Sequence, residues 1–550
     1  MGGSNARIAL GATGALTIGQ GSEGAFAGSI SGLIGSSFNK SGLATLHMSG
    51  ASTAFSGTTE VQSGALSVSG SGSVLGTGAV DVSGGATLDI RGVNLGVTSL
   101  SLRGGGIGGS GALTGTYAAR YDGTVTLADP GPVVLGAATA SDTLTLTGAL
   151  VGGATMSVVK RGLGVLDLGA GATYEGGTVI EAGTVIARHA DALGAGAVTV
   201  SNGATLKITP LPLSPVGVTL RTARLTLNGL GVDGQGALQG EGTVGYDSTS
   251  AVAPFITLAT ASAIGAAPGS TLTLNDPVTG PGGLAKVGAG TVNLSGGNGY
   301  TGGTTIAAGT LRLANGATLP DVGALPDEGA VSLTGTGTLD LNNTHQRIGS
   351  LSGEPGTRIL LGNTGSGGLT VTQSADGGFA GTLSGRGPAT GTGALNKLGA
   401  GVLTLSGSNT FTGLTQVSEG ALRVTASNAL AAASSLEVIG TGTFEIDGVA
   451  LNSLASLTLT GGLAGLETLA GRGTASYGGT VTMVGHARME TAGASDTLTL
   501  GGQIDGRTGV PTSAAPILQK VGGGVLVLDG TGSLFYPQIL AGTLRATSDG

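Results

Sequence analysis

LAKVGAGTVNLSGGNGYTGGTTIAAGTLRL, running from Leu284 to Leu313, returns in degraded but legible form at four other places in the 550-residue chain. The copies are Phe38 to Val68 (FNKSGLATLHMSGASTAFSGTTEVQSGALSV), Val158 to Ala187 (VVKRGLGVLDLGAGATYEGGTVIEAGTVIA), Leu395 to Val424 (LNKLGAGVLTLSGSNTFTGLTQVSEGALRV) and Leu518 to Ala546 (LQKVGGGVLVLDGTGSLFYPQILAGTLRA). Each opens on a lysine, and these lysines, Lys40, Lys160, Lys286, Lys397 and Lys520, stand 120, 126, 111 and 123 residues apart. Self-similarity at a fixed period marks a repeat architecture. The chain therefore reads as a tandem array of units of about 120 residues, joined by spacers of the same style.

A finer period lies inside the unit. The element Gly-x-Φ-x-Φ, with Φ apolar, begins at Gly290, Gly309 and Gly329 and again at Gly401 and Gly420, in steps of 19, 20 and 19 residues. Two apolar residues flanking a polar one is the period-two pattern of a strand with one buried face, and the leading Gly supplies the turn. Leu403 and Leu405 should then point inward and Thr404 outward, Leu46 and Met48 inward and His47 outward, Leu166 and Leu168 inward and Asp167 outward. A coil of about 20 residues made of three short strands is one turn of a parallel β-helix. Stacked at about 4.8 Å, the chain would make roughly 27 coils and a rod on the order of 130 Å. Pro210, Pro212 and Pro215 should sit outside the ladders, lacking the amide hydrogen that a central strand needs.

Composition narrows the class. There are 113 glycines, no Cys and no Trp, with only 3% aromatic and 10% charged residues. Glycine without a G-X-Y period excludes collagen, and the Val/Leu/Ile alternation argues against a disordered linker. The absence of cysteine removes disulfides, thiolate metal sites and cysteine nucleophiles together, and fits passage through an oxidising compartment. A net charge of −8 and the lack of a Lys/Arg cluster disfavour nucleic acid as a partner. No apolar run approaches the roughly 20 residues of a spanning helix. The start, Met1-Gly2-Gly3-Ser4, has no basic or apolar leader, so a removed signal or, preferably, an internal fragment with an added Met is expected.

The pattern K-x-G-x-G-x-L-x-L-S-G-x-N-x-[YF]-T-G-x-T-x-[IV]-x-x-G-x-L resembles the passenger-associated transport repeat of bacterial autotransporters. The likeness is best at Lys286 to Leu311 and Lys397 to Leu422, good at Lys160, and looser at Lys40. It is eroded at Lys520, where Phe535-Tyr536-Pro537 replaces the usual turn. The resemblance implies a passenger carried across the outer membrane of a Gram-negative bacterium, folded outside as a right-handed β-helix and serving as adhesin or stalk. The family's C-terminal β-barrel is not among these residues, so a segment of a longer protein is expected.

Candidate chemistry is sparse. His47, His189, His345 and His486 fall into no metal-ligand spacing and read as outward strand or loop residues. Asp321, Asp327 and Glu328 form the densest acidic group, in a proline-containing loop that reads as solvated rather than catalytic. Phe55, Tyr174, Tyr300 and Phe411 share one repeat position; a sugar-stacking platform is conceivable, but recurrence every six coils or so favours turn packing. Thr-x-Thr pairs such as Thr143/Thr145, Thr271/Thr273, Thr370/Thr372 and Thr497/Thr499 return once per unit rather than on consecutive coils, which argues against an ice-binding face. Asn298 and Asn409 read as turn asparagines.

The sequence thus predicts an all-β, right-handed parallel β-helix over residues 1–550, a single elongated body with repeats at 38–68, 158–187, 284–313, 395–424 and 518–546. No catalytic, cofactor-binding or metal-binding residue and no cofactor is expected, and no binding residue is assigned. The expected role is a rigid stalk and adhesin at the Gram-negative cell surface. Its partners would be host or neighbouring-cell molecules or glycans, with end-to-end self-association, no nucleic acid and no membrane insertion by this segment. A self-assembling extracellular filament is the alternative, and a polysaccharide-active enzyme on the same scaffold a more distant one.

Overall fold

The computed structural model describes residues 5–212, 214, 216–250, 255–314, 329–362, 367–385, 393–430, 435–452, 454, 456–461, 468–507, 516–533 and 535–547. They form short strands, commonly of three to five residues, with single-turn 3₁₀ segments at Ile107–Gly109 and Val232–Gly234. Pairing is parallel from strand to strand, as between Leu46–Met48 and Ala65–Val68 or between Val402–Leu405 and Ala421–Val424. The protein is a parallel β-solenoid of about 22 coils. Its contacts divide it into two units, Met1–Val292 and Asn293–Gly550.

The alternation read from the sequence is the alternation of burial. Leu403 and Leu405 are fully buried and Thr404 half-buried between them. Leu46 and Met48 flank a half-buried His47, and Leu166 and Leu168 flank Asp167 in the same way. In the first unit one inward row climbs through Leu46, Leu66, Leu88, Leu113, Leu135, Lys160, Ile180, Val200, Leu227 and Leu258, each directly opposite the next. In the second, Ile348, Val371, Lys397, Val417, Val438, Leu459 and Met483 form a similar row. Each buried aliphatic side chain stabilises the fold by about 1.5–3 kcal/mol relative to exposure, and stacking like on like fills the interior without long-range cross-packing.

The coil is longer and less regular than the sequence period indicates. Leu403 faces Leu422 and Leu166 faces Val185, both 19 residues on, at the lysine motifs. Elsewhere Val198 faces Leu225 after 27 residues, Leu225 faces Ile256 after 31, and Ala487 faces Leu518 after 31. Hence there are about 22 coils rather than the 27 expected. The Gly-x-Φ-x-Φ period samples only the tightest coils. Pro210 and Pro212 lie outside strands as expected, while Pro215 lies outside the described residues.

Candidate functional site: a buried lysine clamp in every repeat

Each repeat enters its first strand on an apolar residue two places before the lysine: Phe38, Val158, Leu284, Leu395 and Leu518. Strand alternation therefore turns the lysine inward, and all five lysines are fully buried. The Lys40 Nζ donates to the carbonyls of Ser41 (3.0 Å) and Gly42 (2.8 Å) in its own turn and of Ser63 (2.8 Å) on the next coil. Lys160 repeats this with Arg161, Gly162 and Ala182 at 3.0, 2.7 and 3.2 Å. Lys397 uses Leu398, Gly399 and Glu419 at 2.8, 2.7 and 3.1 Å. Lys520 uses Val521, Gly522 and Ala541 at 2.7, 2.7 and 3.2 Å. Lys286 holds Val287 and Gly288 at 2.9 and 2.7 Å. An ammonium has three donors and no acceptor, so three carbonyls satisfy it.

The recurring glycines build this cage. Gly42, Gly162, Gly288, Gly399 and Gly522 carry φ between 72° and 81°, which turns their carbonyls onto the ammonium. On the next coil Gly64, Gly183, Gly420 and Gly542 have φ of 66°, 68°, 60° and 77°. A Cβ on Gly420 would lie 2.3 Å from the Gly399 carbonyl oxygen, and one on Gly183 2.6 Å from that of Gly162. The lysine, the glycine two residues after it and the glycine of the next coil are thus one device joining two coils.

Burial lowers the lysine pKa from its ordinary 10.5 to about 8 at Lys160, Lys286 and Lys397, and in the same direction at Lys40 and Lys520. At Lys397 the charges of Glu419 and Asp376 oppose the fall. A lysine with such a shift can serve as a nucleophile when it is open to substrate, but these are enclosed by backbone and aliphatic side chains. The clamp is structural. The sequence reading used these lysines as landmarks and missed their direction; the apolar residue two places earlier was the signal.

The shared aromatics are buried too. Phe55, Tyr174, Tyr300 and Phe411 are at most 1% exposed, so they pack turns and offer no stacking platform to a sugar. The hydroxyls of Tyr174 and Tyr300 share hydrogen bonds of 2.7 Å with Thr178 and Thr304, and burial raises both phenol pKa values. Asn409 does more than close a turn: its Oδ1 accepts from the Leu383 amide at 2.7 Å and its Nδ2 donates to the Ala429 carbonyl at 2.6 Å, linking the coils before and after its own. Asn298 is buried and donates to the Gly296 carbonyl.

Charged groups are dispersed. Burial raises the Asp142 pKa, but amides of Thr139 (2.9 Å) and Tyr117 (2.8 Å) outweigh this and hold it below the ordinary value. Asp496, in the matching pentapeptide, accepts from Gly473 and Gly493 amides at 2.9 and 2.7 Å. Both carboxylates lock turns. His47 contacts Glu23 at 2.7 Å, His345 contacts Thr370 at 2.9 Å, and His189 and His486 accept from the Asp191 and Ile517 amides. Among the described residues no three His, Cys, Asp or Glu converge to hold a metal, and Asp321, Asp327 and Glu328 lie outside those residues. Where the register shifts between Leu227 and Gly229, an open hollow of about 420 Å³ is lined by Ser201, Asn202, Asn228 and Thr260. No helix among the described residues is long and apolar enough to cross a membrane.

The family model of the passenger-associated-transport-repeat matches residues 38–68, 158–187, 284–313 and 395–424, which are four of the five clamp-bearing stretches. A similar protein is the adhesin BmaC autotransporter of Brucella suis biovar 1 (strain 1330), 37% identical over 370 residues, 65% of this chain. The aligned stretch spans about 10% of that relative's length. No solved structure matches. The matched repeats and the parallel stack agree: the chain carries passenger-associated transport repeats on a parallel β-solenoid.

Proposed function

We propose that this chain is a structural and adhesive module of the bacterial cell surface, a passenger segment whose ladders give rigidity and whose outward rows and loops meet a partner. The observation that carries this reading is the set of four matched repeats on a parallel solenoid, taken with the likeness to an autotransporter named as an adhesin. The same likeness favours a secreted, outer-membrane-associated location and a role without catalysis. Partners on a host or neighbouring cell, glycans among them, fit an outer surface of Ser, Thr, Asn and paired charges such as Arg188 with Asp167 and Arg161 with Glu181.

The test displays the chain on a Gram-negative cell through an autotransporter barrel and measures attachment to host cells and to a glycan array. Saturable attachment that purified soluble chain competes away supports the proposal. Surface display without any attachment contradicts adhesion, and long fibres forming with rising concentration in electron micrographs would replace it with self-assembly.

A further inference from the structure

Near-identical coils carry a hazard. An apolar inward row such as Val371, Val417, Val438 and Leu459 looks much the same after a slip of two residues, because a shift of two keeps inward residues inward. Hydrophobic burial alone discriminates poorly between the native register and that slip. Each lysine breaks the degeneracy. Two of its acceptors lie in its own turn and travel with it, but the third is a carbonyl of the next coil: Ser63, Ala182, Glu419 or Ala541. That carbonyl precedes a glycine seated against the first coil's turn: a Cβ on Gly420 would lie 2.3 Å from the Gly399 carbonyl oxygen, and a slip of two would bring Ser418 or Leu422 to that place.

We propose that Lys40, Lys160, Lys397 and Lys520 are register keys, each fixing the alignment of its coil on the next by having its third ammonium hydrogen satisfied in the native register alone. A slipped coil would leave one hydrogen of a buried ammonium without its carbonyl, a penalty that disfavours the slip by roughly tenfold to a hundredfold. Lys40 and Lys160 set alignment in the first unit, and Lys397 and Lys520 in the second. This inference concerns the fold's specificity and stands whether or not the chain is adhesive.

The chain has no cysteine of its own, so engineered pairs report register cleanly. Asn396 faces Gln416 in the native ladder; after a two-residue slip it would face Ser418. The variants Asn396→Cys/Gln416→Cys and Asn396→Cys/Ser418→Cys are refolded from denaturant under oxidising conditions, with Lys397 intact and with Lys397→Met, and the disulfides are read by mass spectrometry. The parent should form the first bridge almost alone, and Lys397→Met should raise the second by at least about tenfold. A Lys397→Met chain that forms only the native bridge overturns the proposal, since register is then set without the lysine. One that forms neither bridge also overturns it, since the lysine then supports folding in general.

Discussion

Lys160 lies fully buried with three carbonyls around its ammonium. Lys160→Ala removes the donor from all three and leaves a cavity the length of the side chain, so it should destabilise its unit by about 3 kcal/mol, read as a lowered urea midpoint. The charge has a pH signature as well. A lysine titrating near 8 when folded and near 10.5 when unfolded means that the unfolded chain binds more protons between those values. Stability should therefore rise as pH rises from about 8 towards 10. Above 10 the buried tyrosines reverse the trend: their folded pKa values are raised, so the unfolded chain ionises first and stability falls. Urea midpoints at pH 7, 8, 9 and 10 should show the rise, and Lys160→Met should lessen it. Glycine offers a sharper contrast. Gly420→Ala meets both a φ of 60° and a carbonyl 2.3 Å away, whereas Gly448→Ala meets a φ of 67° in open space. The first should cost more than about 3 kcal/mol and the second about 1 kcal/mol, a difference that thermal melts of the two variants resolve.

At the scale of the element, the strand alternation was legible because one face is buried and the side-chain period is two; Leu403, Thr404 and Leu405 lie as the sequence indicated. The coil length was not legible. The extra residues of a long coil, such as that from Leu225 to Ile256, carry no period to betray them. The lysine's direction was legible in principle, since Leu395-x-Lys397 follows the same alternation. It was masked by the strong general preference of lysine for the surface. Asn409 shows the same blindness, for its partners Leu383 and Ala429 come from two other coils and no local pattern contains them. Asn409→Ala should leave both backbone groups buried and unpaired, lowering stability by about 2–3 kcal/mol. Amide hydrogen exchange at Leu383 should accelerate in that variant while exchange in distant coils stays unchanged, as expected where each coil contacts only its neighbours.

For the whole molecule, the repeats alone define the fold class, because five spaced copies constrain a chain more than any one motif. The proposed surface function rests on resemblance alone: outward rows of Ser, Thr and Asn specify no ligand. Within the second unit the coil-on-coil stack predicts a ruler. Thr370, Asn396, Gln416, Glu437, Thr458 and Thr482 stand on successive coils of one ladder row, Thr370 buried and the others half-buried. Spin labels at Thr370 paired with Glu437, Thr458 or Thr482, read by double electron–electron resonance, should give backbone separations of about 14, 19 and 24 Å, one 4.8 Å step per coil. A linear series with that increment, across more than a hundred residues of sequence, is what stacked coils require. Separations that fail to grow with coil number, or that grow by strand-length steps, would contradict the solenoid.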